Sequence, residues 1–267
     1  MLKHLFSKKN QVLLNELVRT DFKLRYQGSA LGYIWSLLRP LLMFVILYIV
    51  FVKLLKLGNG IPHYPVYLLL GIVLWNFFYE MTVLSLGSIV GRGDLIRKIN
   101  IPRWIIVFSM SLSALINLII NLIVIVVFML LDNVSLSSSV FFFPLYVIEI
   151  YIFSLGISFY LASIYVKFRD VSYIWEVLLQ AGFYLTPILY PLSRITKPIF
   201  QKLVLLNPIA QAMQGARYSL ITHQTITFSS VFNNTYFILI PFTIVLIVVY
   251  VGVNTFRKQS KYFAENI

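Results

Sequence analysis

Few side chains in this sequence could make or break a covalent bond. There is no cysteine, hence no thiol nucleophile, disulfide framework or cysteine-held zinc. The three histidines (His4, His63, His223) have no metal-ligand spacing, so no metal site is expected. Neither Gly-x-Ser-x-Gly nor His-Glu-x-x-His occurs, and no Gly-Lys dipeptide exists from which a Walker A phosphate loop could be built. ATP hydrolysis by that route is not expected, and no catalytic residue is assigned. Three acids, Glu80, Glu149 and Glu176, interrupt long apolar runs, where a carboxylate is costly unless protonated, paired or wet. They lie on three separate runs with no basic partner at matching depth. A proton relay is therefore not expected, and tyrosine and asparagine are the anticipated neighbours.

The elements that must position such residues follow from composition. Of 267 residues, 60% are hydrophobic and only 12% charged, against about 25% charged in soluble domains, which excludes an ordinary water-soluble domain. A bilayer-spanning helix needs roughly 20 mostly apolar residues. Six runs qualify, at 33–54, 67–89, 104–131, 141–166, 171–190 and 236–256. The fold class is thus an all-α integral membrane protein with six transmembrane helices. It divides into a cytoplasmic N-terminal segment 1–32, a six-span domain 33–256 and a cytoplasmic tail 257–267.

The net charge of +13 would raise nucleic acid as a partner in a soluble protein, but in a membrane protein Lys and Arg collect in cytoplasmic loops. With the N-terminus inside, 16 of the 22 basic residues fall on cytoplasmic segments and 6 outside. Both termini are therefore placed in the cytoplasm, the chain in the inner or plasma membrane, and no nucleic acid is expected. Charges run throughout 1–26, so no cleaved signal peptide is expected there. On a helical wheel Glu16, Arg19, Thr20, Lys23 and Gln27 share one face, and Leu13, Leu14, Leu17, Val18, Phe22 and Leu24 cover the other. This is the pattern of an amphipathic interfacial helix. Asp21 and Arg25, four apart on the apolar side, can pair with one another.

Two connecting segments carry further signals. The cytoplasmic loop from Gly91 to Arg103 is short and basic. Gly91 and Gly93 allow unusual backbone angles, Asp94 can cap a helix of one to two turns, and Leu95, Ile96 and Ile99 form an exposed apolar knob. Such a knob suits docking in a groove of a soluble partner, adhesion to the membrane surface being the alternative. A second cytoplasmic turn, Lys167-Phe168-Arg169-Asp170, again sets an aromatic ring among charges. Outside, between Pro191 and Thr235, 203–206 and 209–221 flank Asn207-Pro208, a good helix start. They read as two short helices in or re-entering the outer leaflet, or as a surface loop.

Taken in order, these residues resemble the permeases of polysaccharide-exporting ABC transporters, the type-2 exporters of O-antigen, teichoic acid and rhamnan. The resemblance rests on Arg25-Tyr26 through Ser29, Leu31-Gly32, Trp35 and Arg39-Pro40. It continues through Tyr64-Pro65 with Gly71 and Trp75, then Leu95-Ile96-Arg97-Lys98 with Ile101-Pro102-Arg103. Phe168-Arg169-Asp170, Thr186 through Pro191, and Asn207-Pro208 with Arg217 complete it. It spans nearly the whole chain, and no single motif is specific. It implies a homodimer with two copies of a separate Walker-A nucleotide-binding subunit, which binds the ATP and magnesium, so this chain holds no cofactor and is not itself an enzyme. Asp94, Leu95, Ile96, Arg97 and Lys98, with Phe168, Arg169 and Asp170, would couple to that ATPase. The cargo implied is an undecaprenyl-linked polysaccharide, entering from membrane lipid beside the N-terminal helix. The helices after Pro191 resemble the family's outer gate.

A sugar polymer needs walls that offer flat apolar faces and hydroxyl partners together, and this chain has 17 Tyr and 22 Phe. Trp35, Trp75, Tyr79, Tyr184 and Tyr190 are the channel-lining candidates. Arg25, Tyr26 and Arg39 form the candidate substrate entrance, where arginine forks match a carrier pyrophosphate, unless they are ordinary positive-inside charges. Two other classes stay open: an exporter of the same plan for drugs or small lipids, with a greasier lateral groove, and a partner-independent channel or ion-coupled carrier, which should show paired intramembrane charges.

Overall fold

The computed structural model describes residues 7–26, 31–56, 58, 60–99, 101–232, 237 and 239–266, with the side chains of Phe22, Arg25, Tyr26 and Tyr33 outside that description. All regular structure among these residues is helical. Helix α1 (Lys8–Tyr26) is followed by α2 (Trp35–Leu47), which continues in wider turns to Leu54, and then by α3 (Tyr64–Leu86). The short α4 (Gly93–Lys98) precedes α5 (Trp104–Leu131), α6 (Phe143–Lys167) and α7 (Val171–Leu185). Then come α8 (Pro198–Leu205), α9 (Pro208–Leu220), α10 (Phe228–Val231), α11 (Leu239–Gln259) and α12 (Phe263–Asn266).

Five helical stretches among the described residues are long and apolar enough to cross a bilayer: Trp35–Leu54, Tyr64–Leu86, Trp104–Leu131, Ser138–Lys167 and Leu239–Asn266. The chain is a multi-pass membrane protein. Four of the expected spans, at 33–54, 67–89, 104–131 and 141–166, correspond to these helices to within three residues at most ends. The last expected span corresponds to α11, although Tyr236, its expected first residue, lies outside the described residues. The expected span 171–190 differs. Its helix stops at Leu185 after 15 residues, about 22 Å at 1.5 Å per residue. Thr186 precedes Pro187 and is pushed to extended angles (ψ 138°), which ends the helix.

Helix α3 is the centre of the molecule, buried along almost its whole length. Its apolar side chains form the main core with those of α2, α5, α6 and α9. Between membrane helices there is little hydrophobic drive, so cohesion depends on close contact, which small residues permit. Ser154, Gly156, Ser158 and Ala162 line the buried side of α6. A Cβ added at Gly252 of α11 would collide with the Gly156 carbonyl, so these two backbones touch. Further along the same pair, Phe159 and Phe256 meet at 5.1 Å, so α6 and α11 run parallel. The segment between them must therefore return along the bundle. It does so through α7 and residues 186–190, whose Leu189 carbonyl accepts a 2.6 Å hydrogen bond from Tyr64, the first residue of α3.

Helix α1 lies along α5. Asp21 forms an ion pair with Arg92, the residue that leads into α4, while the side chain of Arg25, its expected partner, lies outside the described residues. Arg92 also donates to Ser109 of α5 at 3.1 Å. Arg92 and Asp21 are both largely buried there, so each supplies the charge that the other needs.

Candidate functional site

Four helix faces enclose a cavity of about 1080 Å³ on one side of α3. Each face brings polar residues at helical spacing out of an otherwise apolar span. From α2 come Trp35, Ser36 and Arg39, from α3 Asn76, Tyr79 and Glu80, from α5 Asn117 and Asn121, and from α7 Gln180 and Tyr184. Trp75 is wedged beneath, with Phe78 at 5.4 Å and Phe183 of α7 edge-on at 6.0 Å. Helix α7 is held against α3 by a 3.1 Å hydrogen bond from the Trp175 indole to the Thr82 hydroxyl. Elsewhere α7 is mostly exposed, with Leu179 its one buried side chain among the described residues.

The polar residues of the cavity are joined. Asn117 donates from Nδ2 to Glu80 Oε1 at 2.5 Å. Asn121 donates from Nδ2 to the Asn117 carbonyl at 2.8 Å and to the Ser36 carbonyl at 3.3 Å, tying α5 to α2. Glu80 thus has the asparagine company that its surroundings in the sequence suggested. Glu149 is buried on α6, and its Oε1 has no hydrogen-bond partner among the described residues. Glu176 is exposed on α7.

Of the channel candidates, Trp35, Trp75, Tyr79 and Tyr184 line this cavity, as does Arg39 from the entrance set. Tyr190 does not. Its hydroxyl turns back to donate to the Tyr184 and Leu185 carbonyls at 3.2 and 3.3 Å, satisfying the end of α7 that Pro187 leaves open. The side chains of Arg25 and Tyr26 lie outside the described residues. Asn76, Asn117, Asn121, Gln180 and Glu80 were not singled out as lining residues from the sequence. Their signal was present, since Asn76/Glu80, Asn117/Asn121 and Gln180/Tyr184 are all four apart and so share a helix face.

At the opposite end of α3 from Tyr64 sits α4, and here the sequence reading needs correction. The expected apolar knob is split. Ile96 is only 8% exposed and packs with Ile106, Phe159, Val166 and Phe263, while Leu95 is half-buried and Ile99 is 52% exposed. One face of so short an amphipathic helix suffices to seat it on the bundle, and Ile96 occupies that face. Asp94 is not the cap either. The helix begins a residue earlier, after Arg92, and Asp94 lies in the first turn, where a carboxylate favours the helix dipole. Gly91 and Gly93 take no positive φ (Gly93 φ −52°), because a tight turn at 90–92 runs directly into α4. The outward residues are Asp94, Arg97, Lys98 and Ile99, and across the same cluster Phe168, Arg169 and Asp170 are exposed as well. Phe263 of the chain end locks this foot, edge-on to Phe256 at 5.3 Å.

At the Tyr64 end, Asn207 caps α9 as its Asn-Pro sequence suggests, accepting from the Ile209 amide at 3.1 Å. The helix delivers Arg217, fully buried, between α3 and the break after α7. Its guanidinium donates to the carbonyls of Tyr67 (3.1 Å), Pro187 (2.5 Å) and Ile188 (3.0 Å) and to Gln214 Oε1 (3.1 Å). It also lies 3.7 Å from the centre of the Tyr67 ring. Gly71 makes this possible, since a Cβ there would overlap Arg217 Nη2.

A family profile described as ABC-2 type transporter matches residues 12–221. Among curated proteins, the chain is similar to an O-antigen export system permease protein RfbA of Klebsiella pneumoniae, 30% identical over 254 residues, covering 95% of this chain and 94% of the relative. It is likewise similar to the O-antigen export system permease protein RfbA of Myxococcus xanthus, 30% identical over 213 residues, covering 79% and 81%. A second Klebsiella pneumoniae protein of that name is 28% identical over 254 residues.

Proposed function

The chain belongs to the ABC-2 type transporter family, and on that premise we propose that it is the membrane-spanning subunit of an ATP-driven exporter of lipid-linked cell-surface polysaccharide. The observation that carries the reading is the cavity. It sets Trp35, Trp75, Tyr79 and Tyr184 beside a row of carboxamides, which is the pairing of flat faces and hydrogen-bonding groups that a sugar chain requires. The names of the relatives, which are O-antigen export permeases, support the same cargo. A carrier for small greasy molecules would have little use for Asn76, Asn117, Asn121 and Gln180 in one wall.

In this reading two copies of the chain work with two copies of a nucleotide-binding subunit that holds ATP and magnesium. The N-terminal segment 1–32 lies at the inner surface, 33–256 crosses six times with α7 and residues 186–190 as the fifth crossing, and 257–267 is cytoplasmic. The return of the chain between the parallel helices α6 and α11 supports that count. The excess of basic residues on one set of loops supports both termini being cytoplasmic, in the inner or plasma membrane. Asp94, Leu95, Arg97, Lys98, Phe168, Arg169 and Asp170 meet the ATPase, and Ile96 seats the helix that carries them. Arg39, with Arg25 and Tyr26, receives the carrier phosphate beside α1.

The test is to purify the chain gently from its native membrane, identify what accompanies it and deplete it in cells. A Walker-A subunit in equal amount, with undecaprenyl-linked glycan accumulating inside depleted cells, is the expected result. Normal surface glycan after depletion would refute the proposal.

A further inference from the structure

Helix α8 stands at the Tyr64 end of α3, since residues 191–193, which lead to it, line one small crevice with Ile61. One side of the helix is seated. Gln201 donates from Nε2 to the Ile195 carbonyl at 2.6 Å, and Val204 and Leu205 pack with Leu192 and Phe228 in a small core of their own. That seating turns Ile199, Phe200 and Leu203 outward, each more than half exposed. Ile199 and Leu203 are four apart and share a helix face, with Phe200 beside them. Water offers such a face nothing, whereas the boundary between lipid headgroups and acyl chains accepts it.

Cations surround this face. Arg194 and Lys197 are exposed just ahead of the helix, and Lys202 is half-buried on it. Lys197 Nζ lies 6.0 Å from the centre of the Phe200 ring and Lys202 Nζ 5.6 Å from that of Phe232, contacts that steady the side chains without supplying a counter-ion. The sequence has no Asp or Glu between Glu176 and Glu265. Asp132, the one acid in the segments read as external, is taken by His63 at 2.9 Å. The anion that answers these charges therefore comes from outside the chain.

We propose that α8 with Arg194, Lys197 and Lys202 is a docking surface for acidic phospholipid of the outer leaflet, an inference that rests on the membrane placement in the export reading above. A small anion would leave three apolar side chains uncovered, and a neutral lipid would leave the cations unmatched. An acidic phospholipid supplies both parts, its acyl chains against Ile199, Phe200 and Leu203 and its phosphate against the basic side chains, whose stems can reach the headgroup level. Only Leu206 and Asn207 separate α8 from α9, so a lipid held here steadies the helix that carries Arg217.

The test is fluorescence quenching of the full chain carrying Phe200→Trp in nanodiscs, with the unaltered chain subtracted to remove its own indoles. The substitution keeps a ring beneath Lys197. The probes are phosphatidylglycerol and phosphatidylcholine with brominated acyl chains, each diluted into unbrominated phosphatidylcholine. Half-maximal quenching is expected at an at least about fivefold lower fraction of phosphatidylglycerol, the ratio that one cation near an anionic surface supplies, and added salt should shrink it. Combining Arg194→Gln, Lys197→Gln and Lys202→Gln should bring the ratio to one while both lipids still quench. Should Phe200→Trp fail to fold, as judged by size-exclusion elution, Ile199→Trp carries the indole instead. Equal midpoints for the two lipids, a ratio that survives loss of the three cations, or no quenching by either lipid would overturn the proposal. So would relief of the phosphatidylglycerol quenching by a galacturonate oligomer, which would give the cations to an acidic glycan. Each of these results leaves the export reading standing, because depletion in cells decides that reading separately.

Discussion

Replacing Arg217 by methionine removes a cation that joins three parts of the molecule. The side chain keeps its approximate length, but the carbonyls of Tyr67, Pro187 and Ile188 lose their donor. A buried carbonyl stripped of its partner costs about 1–3 kcal/mol, so three give roughly 3–9 kcal/mol. Against this stands relief from holding a guanidinium out of water, an effective several kcal/mol. The net loss is expected to be about 3 kcal/mol, or roughly 6–12 °C in the melting midpoint at this chain length. Thermal unfolding in detergent, followed by tryptophan fluorescence, reads it directly. Gly71→Ala supplies an independent check, because its methyl would overlap Arg217 Nη2. It should cost about 1–3 kcal/mol in the native background and much less beside Arg217→Met, whose unbranched end can yield. If Arg217→Met melts with the unaltered protein, or if the two substitutions are additive, the guanidinium does not hold the break after α7 in place.

Three further outcomes follow from particular contacts. Arg92→Gln removes one partner of the largely buried pair with Asp21 and should loosen α1 by about 1–3 kcal/mol; limited proteolysis within 8–26 should accelerate, and the swap Asp21→Arg with Arg92→Asp should restore protection. Ile96→Asp buries a carboxylate among Phe159, Val166 and Phe263 and should abolish the folded protein in size-exclusion chromatography, whereas Ile99→Asp on the outward side should fold normally and lose ATP-driven transport; a folded Ile96→Asp would show that α4 is not seated by that face. Gly252→Leu drives a side chain into the Gly156 carbonyl and should destabilise the chain by 3 kcal/mol or more, on the order of a severe overpacking, measured by the same thermal unfolding.

The stretches able to span a bilayer were legible in the sequence because their signal is local. A run of about 20 apolar residues must be a helix in lipid, where no water can satisfy the backbone. Asn207-Pro208 announced α9 for an equally local reason, since the asparagine oxygen caps a helix whose first residue needs no N–H. The ordered motifs likewise carried the family resemblance without any knowledge of contacts. What the helices do to one another is another matter, because hydropathy is blind to the direction in which a side chain points across a bundle. Ile96 and Ile99 are equally apolar, and only the neighbours contributed by α5, α6 and the chain end decide that the first is buried and the second exposed. Tyr190 resembles the other aromatic lining candidates in type, yet the break at Pro187 turns it back onto its own helix. The carboxamides of the cavity show both sides of this limit. Their four-residue spacing lay in the sequence, but Asn117 meets Glu80 across 37 positions, and Asn121 reaches Ser36 across 85. Such pairs exist only after α2, α3 and α5 have packed, so tertiary structure alone sets which hydrogen-bonding groups are spent within the wall and which are left for a ligand.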